Sequence, residues 1–205
     1  DTVSIYIPEK NNGTCIAIVN STAHKSAVFG AGNSFSAFRN TVSYLNSEGI
    51  LKTDQLIIPT YDGIYRAQFL CHRGEFVQKR KNTLIILLIN LSILSKSASI
   101  CENSLNLWKN VSVKSSVSSV FAASHLSING TDIVICTLPT SDFSTADSIF
   151  CRGDILITRN EIPETLDINS FDTIIIMTER QNLKTTENIY STADGDIEIK
   201  LKGDS

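Results

Sequence analysis

A glycine turn ahead of a predicted helix is the first segment whose residue types and spacing could do chemistry. Gly30-Ala31-Gly32 follows the apolar stretch Ala27-Val28-Phe29 and precedes a helix predicted over Ser34 to Ser47. Glycines let a backbone approach a pyrophosphate closely, and a helix N-terminus attracts that anion. Asp62, beyond the next predicted strand, would then bind the ribose. The more ordinary interpretation is a tight turn followed by a capped helix.

Two charged segments are candidate binding surfaces. The tripeptide Arg152-Gly153-Asp154 has the form that integrins bind, in which Asp coordinates a receptor-bound cation and Arg pairs with an acidic pocket. A basic patch that would contact sulfated or acidic glycans consists of Arg73, Lys79, Arg80 and Lys81. A polar turn entering a strand, and an exposed hairpin with solvated charge, are the plainer interpretations of these two segments.

Catalytic chemistry finds little support in the residue pattern. His24, His72 and His125 show no metal-ligand spacing such as H-E-x-x-H. The sequence has neither a G-x-S-x-G nucleophile elbow nor a Walker motif. We therefore predict no catalytic residue, no metal site and no cofactor, and we favour a protein that is not an enzyme.

Cysteines and glycosylation sequons bear on the compartment. There is no C-x-x-C pair, which argues against a zinc ribbon or a thioredoxin-type site. Two bridges and a spare thiol would fit an oxidising compartment, and five buried thiols a reducing one. The disulfide candidates are Cys15, Cys71, Cys101, Cys136 and Cys151. The predicted glycosylation sites are Asn12, Asn20, Asn110 and Asn129, whereas the sequon at Asn90 lies inside an apolar run.

Composition favours a protein outside the reducing cell. Ser, Thr and Asn are plentiful and charged residues make up 19 % of the chain. The net charge of -3 gives no reason to expect nucleic acid as a partner. The 205 residues suit a single globular domain, with an alternative division into a basic, sequon-bearing part, 1–131, and an acidic part, 132–205. The longest apolar run, Thr83 to Leu94, is shorter than the roughly 20 residues that span a bilayer.

Clusters of β-branched residues predict strands along most of the chain. The predicted strands are Thr2 to Ile7, Cys15 to Val19, Gln55 to Pro59, Asn82 to Leu91, Asp132 to Leu138, Asp154 to Thr158, Thr173 to Thr178 and Asp196 to Lys202. Beside the helix over Ser34 to Ser47, a second one is predicted over Ser97 to Trp108. The predicted fold class is β-rich or α+β, with antiparallel sheets flanked by one or two helices.

An α/β fold with a parallel sheet is the alternative architecture. Several apolar runs are continuous, as in strands that are buried on both faces. Only one convincing crossover helix is available for seven or eight strands, however. This shortage favours the antiparallel interpretation.

These observations predict a secreted or surface-displayed glycoprotein domain, of viral or other microbial origin, without catalytic activity. Its partner would be a host cell-surface protein or glycan, its location extracellular or at the virion or cell surface, and it could form oligomers. The alternative is an intracellular α/β protein that binds a nucleotide through the Gly30-Ala31-Gly32 turn. A crossover helix at Gly30 together with unpaired thiols would favour this alternative.

Overall fold

The computed structural model describes residues 2–9, 15–30, 35–50, 53–58, 84–87, 101–117, 121–138, 141–178, 180 and 187–203. Within these ranges the chain forms thirteen strands and one α-helix. They are β1 (Thr2–Ile7), β2 (Ile16–Asn20), β3 (Lys25–Phe29), α1 (Phe35–Ser47), β4 (Gln55–Ile58), β5 (Leu84–Leu87), β6 (Cys101–Trp108), β7 (Val111–Val117), β8 (Ala122–Ile128), β9 (Thr131–Cys136), β10 (Gly153–Arg159), β11 (Phe171–Met177), β12 (Ile189–Ser191) and β13 (Ile197–Lys202).

The first sheet has the order β13-β1-β2-β3-β4-β5. The pairs from β13 to β3 are antiparallel, whereas β3, β4 and β5 run parallel. Helix α1 lies between β3 and β4 in the chain, so these three elements form a β-α-β crossover. The helix ends at Gly49, whose positive φ of 72° lets the N–H of Ile50 donate to Leu45 O at 2.8 Å.

The second sheet has the order β12-β11-β10-β9-β8-β7-β6 and is also mixed. Strands β6 to β9 are antiparallel, with two-residue turns between β6 and β7 and between β8 and β9, whereas β9 to β12 are parallel. The parallel strands β9, β10 and β11 each bury a run of four residues, as the continuous apolar sequences predict for strands covered on both faces.

The two sheets pack face to face around the largest apolar cluster, which includes Ile5, Ile18, Phe29, Leu126 and Ile157. A second cluster lies between α1 and the outer face of the first sheet. A third lies between the outer face of the second sheet and a covering segment, residues 141–152 and 160–170 on either side of β10. This segment contains two short 3-10 turns, Ser148–Phe150 and Ile168–Ser170. The described chain therefore has four layers: helix, sheet, sheet and an irregular covering segment.

The prediction of a β-rich, α+β fold is confirmed. In β13, Ile197, Ile199 and Leu201 alternate with exposed residues and pack against the core between the sheets. The second predicted helix is wrong over Cys101 to Trp108, which forms β6. A register shift between Asn106 and Trp108 makes Leu107 an extra residue in this strand, so that Leu107 and Trp108 both pack at the core.

A search of the described helices finds none that is long and apolar enough to cross a membrane.

Candidate functional site

The segment between β3 and α1 is a candidate site, and Gly30 is its described residue. Phe29, the last residue of β3, pairs with Ile57 in parallel register. Gly30 follows with a φ of 78°, a region that suits glycine, and its N–H donates to Ile57 O at 2.7 Å. This hydrogen bond holds the start of the turn against β4. Gly32 and Asp62, the other residues of the predicted nucleotide site, lie outside the described residues.

Electrostatics at this edge of the first sheet favour an anion. The carboxyl ends of β3, β4 and β5 lie at the same edge because the three strands are parallel. Helix α1 begins at this edge and carries no acidic residue in its first turn. The partial positive charge of the helix N-terminus is therefore not offset by a carboxylate of that turn. Parallel α/β sheets bind their ligands at this kind of edge.

The cysteines whose side chains the structure describes form no disulfide. Cys15 and Cys136 are buried and Cys151 is partly exposed. Burial raises the pKa of Cys15 to about 11, although its 3.4 Å contact with Thr41 Oγ1 opposes the shift. Burial likewise raises the pKa of Cys136 to about 11. Burial also raises the pKa of Cys151, with a smaller contribution from the charge of Asp147.

The disulfide prediction is therefore wrong for Cys15, Cys136 and Cys151. Their sulfurs bond inside the fold instead. The Cys136 thiol donates to Leu138 O at 2.9 Å. Cys71 and the side chain of Cys101 lie outside the described residues.

These environments predict an order of alkylation in the folded protein. At pH 8 a thiol with a pKa near 11 is ionised to about one part in a thousand, and only the thiolate reacts. We expect iodoacetamide to modify Cys151 at least tenfold faster than Cys15 or Cys136, as read by peptide mass spectrometry. Labelling in urea is the control, where the three rates should converge. Equal rates in the folded protein would contradict these burial assignments.

The Arg152-Gly153-Asp154 tripeptide enters a strand instead of forming a loop tip. Gly153 and Asp154 are the first residues of β10. A Cβ at Gly153 would lie 2.9 Å from Asp132 O, so glycine allows this close strand approach. The Asp154 carboxylate already accepts the N–H of Asp132 at 2.7 Å. Binding through this tripeptide stays a prediction. The basic patch, Arg73, Lys79, Arg80 and Lys81, lies outside the described residues.

The predicted glycosylation sites are dispersed over the fold. Asn20 is buried at the end of β2, and its side-chain oxygen accepts the N–H of Ala23 at 2.9 Å. The side-chain N–H of Asn129 donates to Leu201 O at 3.3 Å. This side-chain nitrogen is the atom that a glycan would modify. Asn110 is exposed in the turn between β6 and β7. Asn12 lies outside the described residues.

Comparison with known proteins finds similarity only at the level of structure. No family model and no curated protein matches the sequence. A structure assigned as a Zn-dependent hydrolase of the metallo-beta-lactamase superfamily from Thermotoga maritima is 10% identical, with a TM-score of 0.48 over 93% of this chain and 83% of the other. A diphosphatase of the PhnP family is 10% identical, with a TM-score of 0.48 over 98% and 99%. Zn²⁺-bound PqqB from Methylobacterium extorquens is 8% identical, with a TM-score of 0.49 over 91% and 88%.

At these identities and TM-scores the likeness assigns no activity, substrate or metal to this chain. Among the described residues, no three His, Cys, Asp or Glu side chains form a group that could hold a metal ion. His125 pairs with Asp132 alone, Nε2 to Oδ1 at 3.4 Å. The described part of the chain therefore does not fit a zinc site.

The prediction of a secreted or surface-displayed, non-catalytic glycoprotein domain that binds a host partner is wrong, as is its extracellular or virion location. The two features stated above as favouring the alternative are both present: the crossover at Gly30 and described thiols that form no disulfide. The absence of nucleic acid as a partner and the capacity to form oligomers stay predictions.

The physical reason lies in where the hydroxyl groups are. The plentiful Ser and Thr were interpreted as a polar outer surface. Several of them are instead buried in the sheets, among them Ser26, Ser115, Ser124 and Thr158. Ser115 and Ser124 bond to each other across two neighbouring strands. In this protein, abundant hydroxyl groups with few charges therefore indicate hydrogen bonds buried in the fold. They do not indicate the polar surface of a secreted protein.

Proposed function

We propose that this protein binds a nucleotide, with its phosphate groups at the turn between β3 and α1. The observation that carries the proposal is the β3-α1-β4 crossover with Gly30 at its first turn. Such a unit brings a glycine-containing backbone and a helix N-terminus to the same edge of a parallel sheet. Both features favour an anion: the glycine by close backbone approach, the helix by its dipole and free N–H groups.

The charge distribution of α1 supports the same ligand class. The helix has no acidic residue in its first turn, and the exposed Arg39 follows that turn directly. A phosphate at the helix start would gain from the dipole, and Arg39 would add a favourable charge at longer range. Asp62 remains the proposed partner of the ribose hydroxyls. Backbone N–H groups, the helix dipole and Arg39 would bind the phosphate groups, so this function needs no metal and no acid–base group at the turn.

Isothermal titration calorimetry with ATP, ADP and NAD tests the proposal, and Gly30→Ala is the informative variant. A Cβ at a φ of 78° strains the backbone and displaces the first residue of the turn. We expect Gly30→Ala to weaken binding of the preferred nucleotide at least tenfold, or about 1.4 kcal/mol. Competition by inorganic phosphate should weaken the apparent affinity of the unmodified protein.

Gly49→Ala is the matched control. Gly49 has a φ of 72° at the other end of the same helix, and no atom lies within 4 Å of a Cβ built there. Both variants should therefore lose comparable stability in urea unfolding, whereas only Gly30→Ala should lose nucleotide binding. If none of the three nucleotides binds, or if both variants bind as the unmodified protein does, the proposal is wrong.

A further inference from the structure

A second concave site lies on the opposite side of the chain's sandwich core, where two hairpin turns meet the end of β13. Its volume is about 650 Å³, and its lining includes Trp108, Lys109 and Asn110 of one turn and Asn129 and Gly130 of the other. The two turns are joined directly, because the N–H of Asn129 donates to Asn110 O at 3.0 Å. The volume falls within the range of small-molecule sites.

The hairpin turns that form this pocket are rigid for reasons that the sequence makes clear. Asn110, Asn129 and Gly130 all adopt positive φ, at 62°, 52° and 84°. Asparagine and glycine are the residues that accept this backbone in two-residue turns. The Asn129 side chain also donates to Leu201 O, which ties its turn to β13 of the other sheet. The pocket walls are therefore fixed by backbone geometry and by a contact between the sheets.

The chemistry of the lining selects the class of ligand. It contains three asparagines and two serines, Asn106, Asn110, Asn129, Ser112 and Ser127. Amides and hydroxyls both donate and accept hydrogen bonds, as the hydroxyl groups of a polyol also do. Among the lining residues that the structure describes, Lys109 is the single charged one and none carries a carboxylate. Asp132, the register partner of Ser127, instead contacts His125.

We infer that this pocket binds a small polyhydroxylated anion, of the size of a sugar acid or a sugar phosphate. The amides and serines would bind the hydroxyl groups, and Lys109 would pair with the carboxylate or phosphate. The ring of Trp108 supplies an apolar wall for the carbon face of such a ligand. This site is separate from the β3–α1 turn, and neither proposal depends on the other.

Intrinsic fluorescence tests the inference directly, because Trp108 is the single tryptophan of the chain. Glucuronate and glucose 6-phosphate are the anionic probes. Glucose lacks the anionic group and inorganic phosphate lacks the sugar hydroxyls, so these two compounds are the controls. We expect a saturable change in Trp108 emission with at least one anionic probe, with a Kd of about 1 mM or below. Glucose and phosphate should bind at least tenfold more weakly. The better anion identifies whether carboxylate or phosphate is preferred.

Lys109→Gln is the variant that distinguishes anion binding in the pocket from anion binding elsewhere on the protein surface. Lys109 is exposed in a turn, so its replacement should leave folding unchanged, and it should weaken binding of the anionic probe about tenfold. Lys25→Gln, at an exposed strand start outside the pocket, is the matched control and should bind as the unmodified protein does. Gly30→Ala should also leave this binding unchanged.

Two results would overturn the inference. One is the absence of a saturable signal by fluorescence and by calorimetry with both anions up to about 10 mM, ten times the expected Kd. The other is equal binding by Lys109→Gln and Lys25→Gln, which would place the anion away from the pocket.

Discussion

Phe150→Ala is expected to lower the free energy of unfolding by about 4 kcal/mol, the usual cost of removing a buried aromatic ring. Phe150 is fully buried in a 3-10 turn of the covering segment. Its ring lies edge-on to that of Phe121, with centroids 5.8 Å apart, and Phe121 packs in the same way on Phe143 at 4.9 Å. These ring contacts hold the irregular segment against the outer face of the second sheet. Urea unfolding of the variant and the unmodified protein measures the loss in the free energy of unfolding.

The second 3-10 turn offers a matched control. Ile168 is also an apolar residue in a three-residue turn of the covering segment, but it is 43% exposed. Ile168→Ala should therefore cost less than about 1 kcal/mol. Phe150→Leu, which keeps most of the apolar volume, should fall between the two. Equal losses for Phe150→Ala and Ile168→Ala would mean that the aromatic cluster does not hold the segment in place.

Strands with a strong apolar pattern were predictable from the sequence, and the reason is local. Thr2 to Ile7 forms β1 with the predicted bounds, and Asp132 to Leu138 covers most of β9. Strands β7 and β8 were not predicted, because serine interrupts their apolar alternation. Ser115 and Ser124 are nonetheless buried and bonded to each other. A buried serine pair carries no hydrophobic signal, so composition alone does not reveal these strands.

Parallel pairing was kept only as the alternative architecture, for a different reason. A shortage of crossover helices argued against parallel pairing, since such connections are usually helical. Between β9 and β10, and between β10 and β11, the described parts of the connections are irregular and contain 3-10 turns instead. Apolar residues such as Phe143, Phe150 and Leu166 cover the sheet in place of a helix face. These apolar residues are isolated in the chain and follow no helical or strand periodicity, so the sequence gives no pattern that predicts this covering.

The candidate site was predictable in part. The glycine turn was noted from residue types, and the structure places Gly30 at a crossover whose pairing the sequence does not specify. Register between β3 and β4 is set by long-range packing around Val28 and Ile57, which no local pattern encodes. The hairpin-turn pocket was not predicted, because its lining comes from three strands, two turns and Gly203 after β13, which only the folded sheets bring together.

High pH is expected to destabilise this protein, starting near pH 9. The folded-state pKa of Cys15 and Cys136 is about 11, above the ordinary value of 9.0, because both thiols are buried. A group with a raised folded pKa stabilises the fold fully below its unfolded pKa and loses that contribution as pH rises. Each thiol should therefore cost about 2 kcal/mol at pH 11.

Two tyrosines add to this loss from about pH 10, the ordinary pKa of tyrosine. Tyr6 and Tyr44 stack with centroids 4.1 Å apart. Their hydroxyls donate to Asp196 and Glu198, each at 2.8 Å. Burial raises the pKa of both phenols, and the bonds to these carboxylates raise it further. Ionisation would set a phenolate against a carboxylate and would break the link between β13, β1 and α1.

Urea unfolding between pH 8 and pH 11 measures this effect. The free energy of unfolding should be flat up to pH 9 and then fall, with the steepest fall above pH 10. Cys15→Ala and Tyr6→Phe should each reduce the slope, whatever they do to stability at pH 8, because each removes one ionising group. Tyr190→Phe is the control, since Tyr190 is 52% exposed, and its slope should match that of the unmodified protein. A free energy of unfolding that stays constant to pH 11 would contradict the buried, neutral state of these four groups.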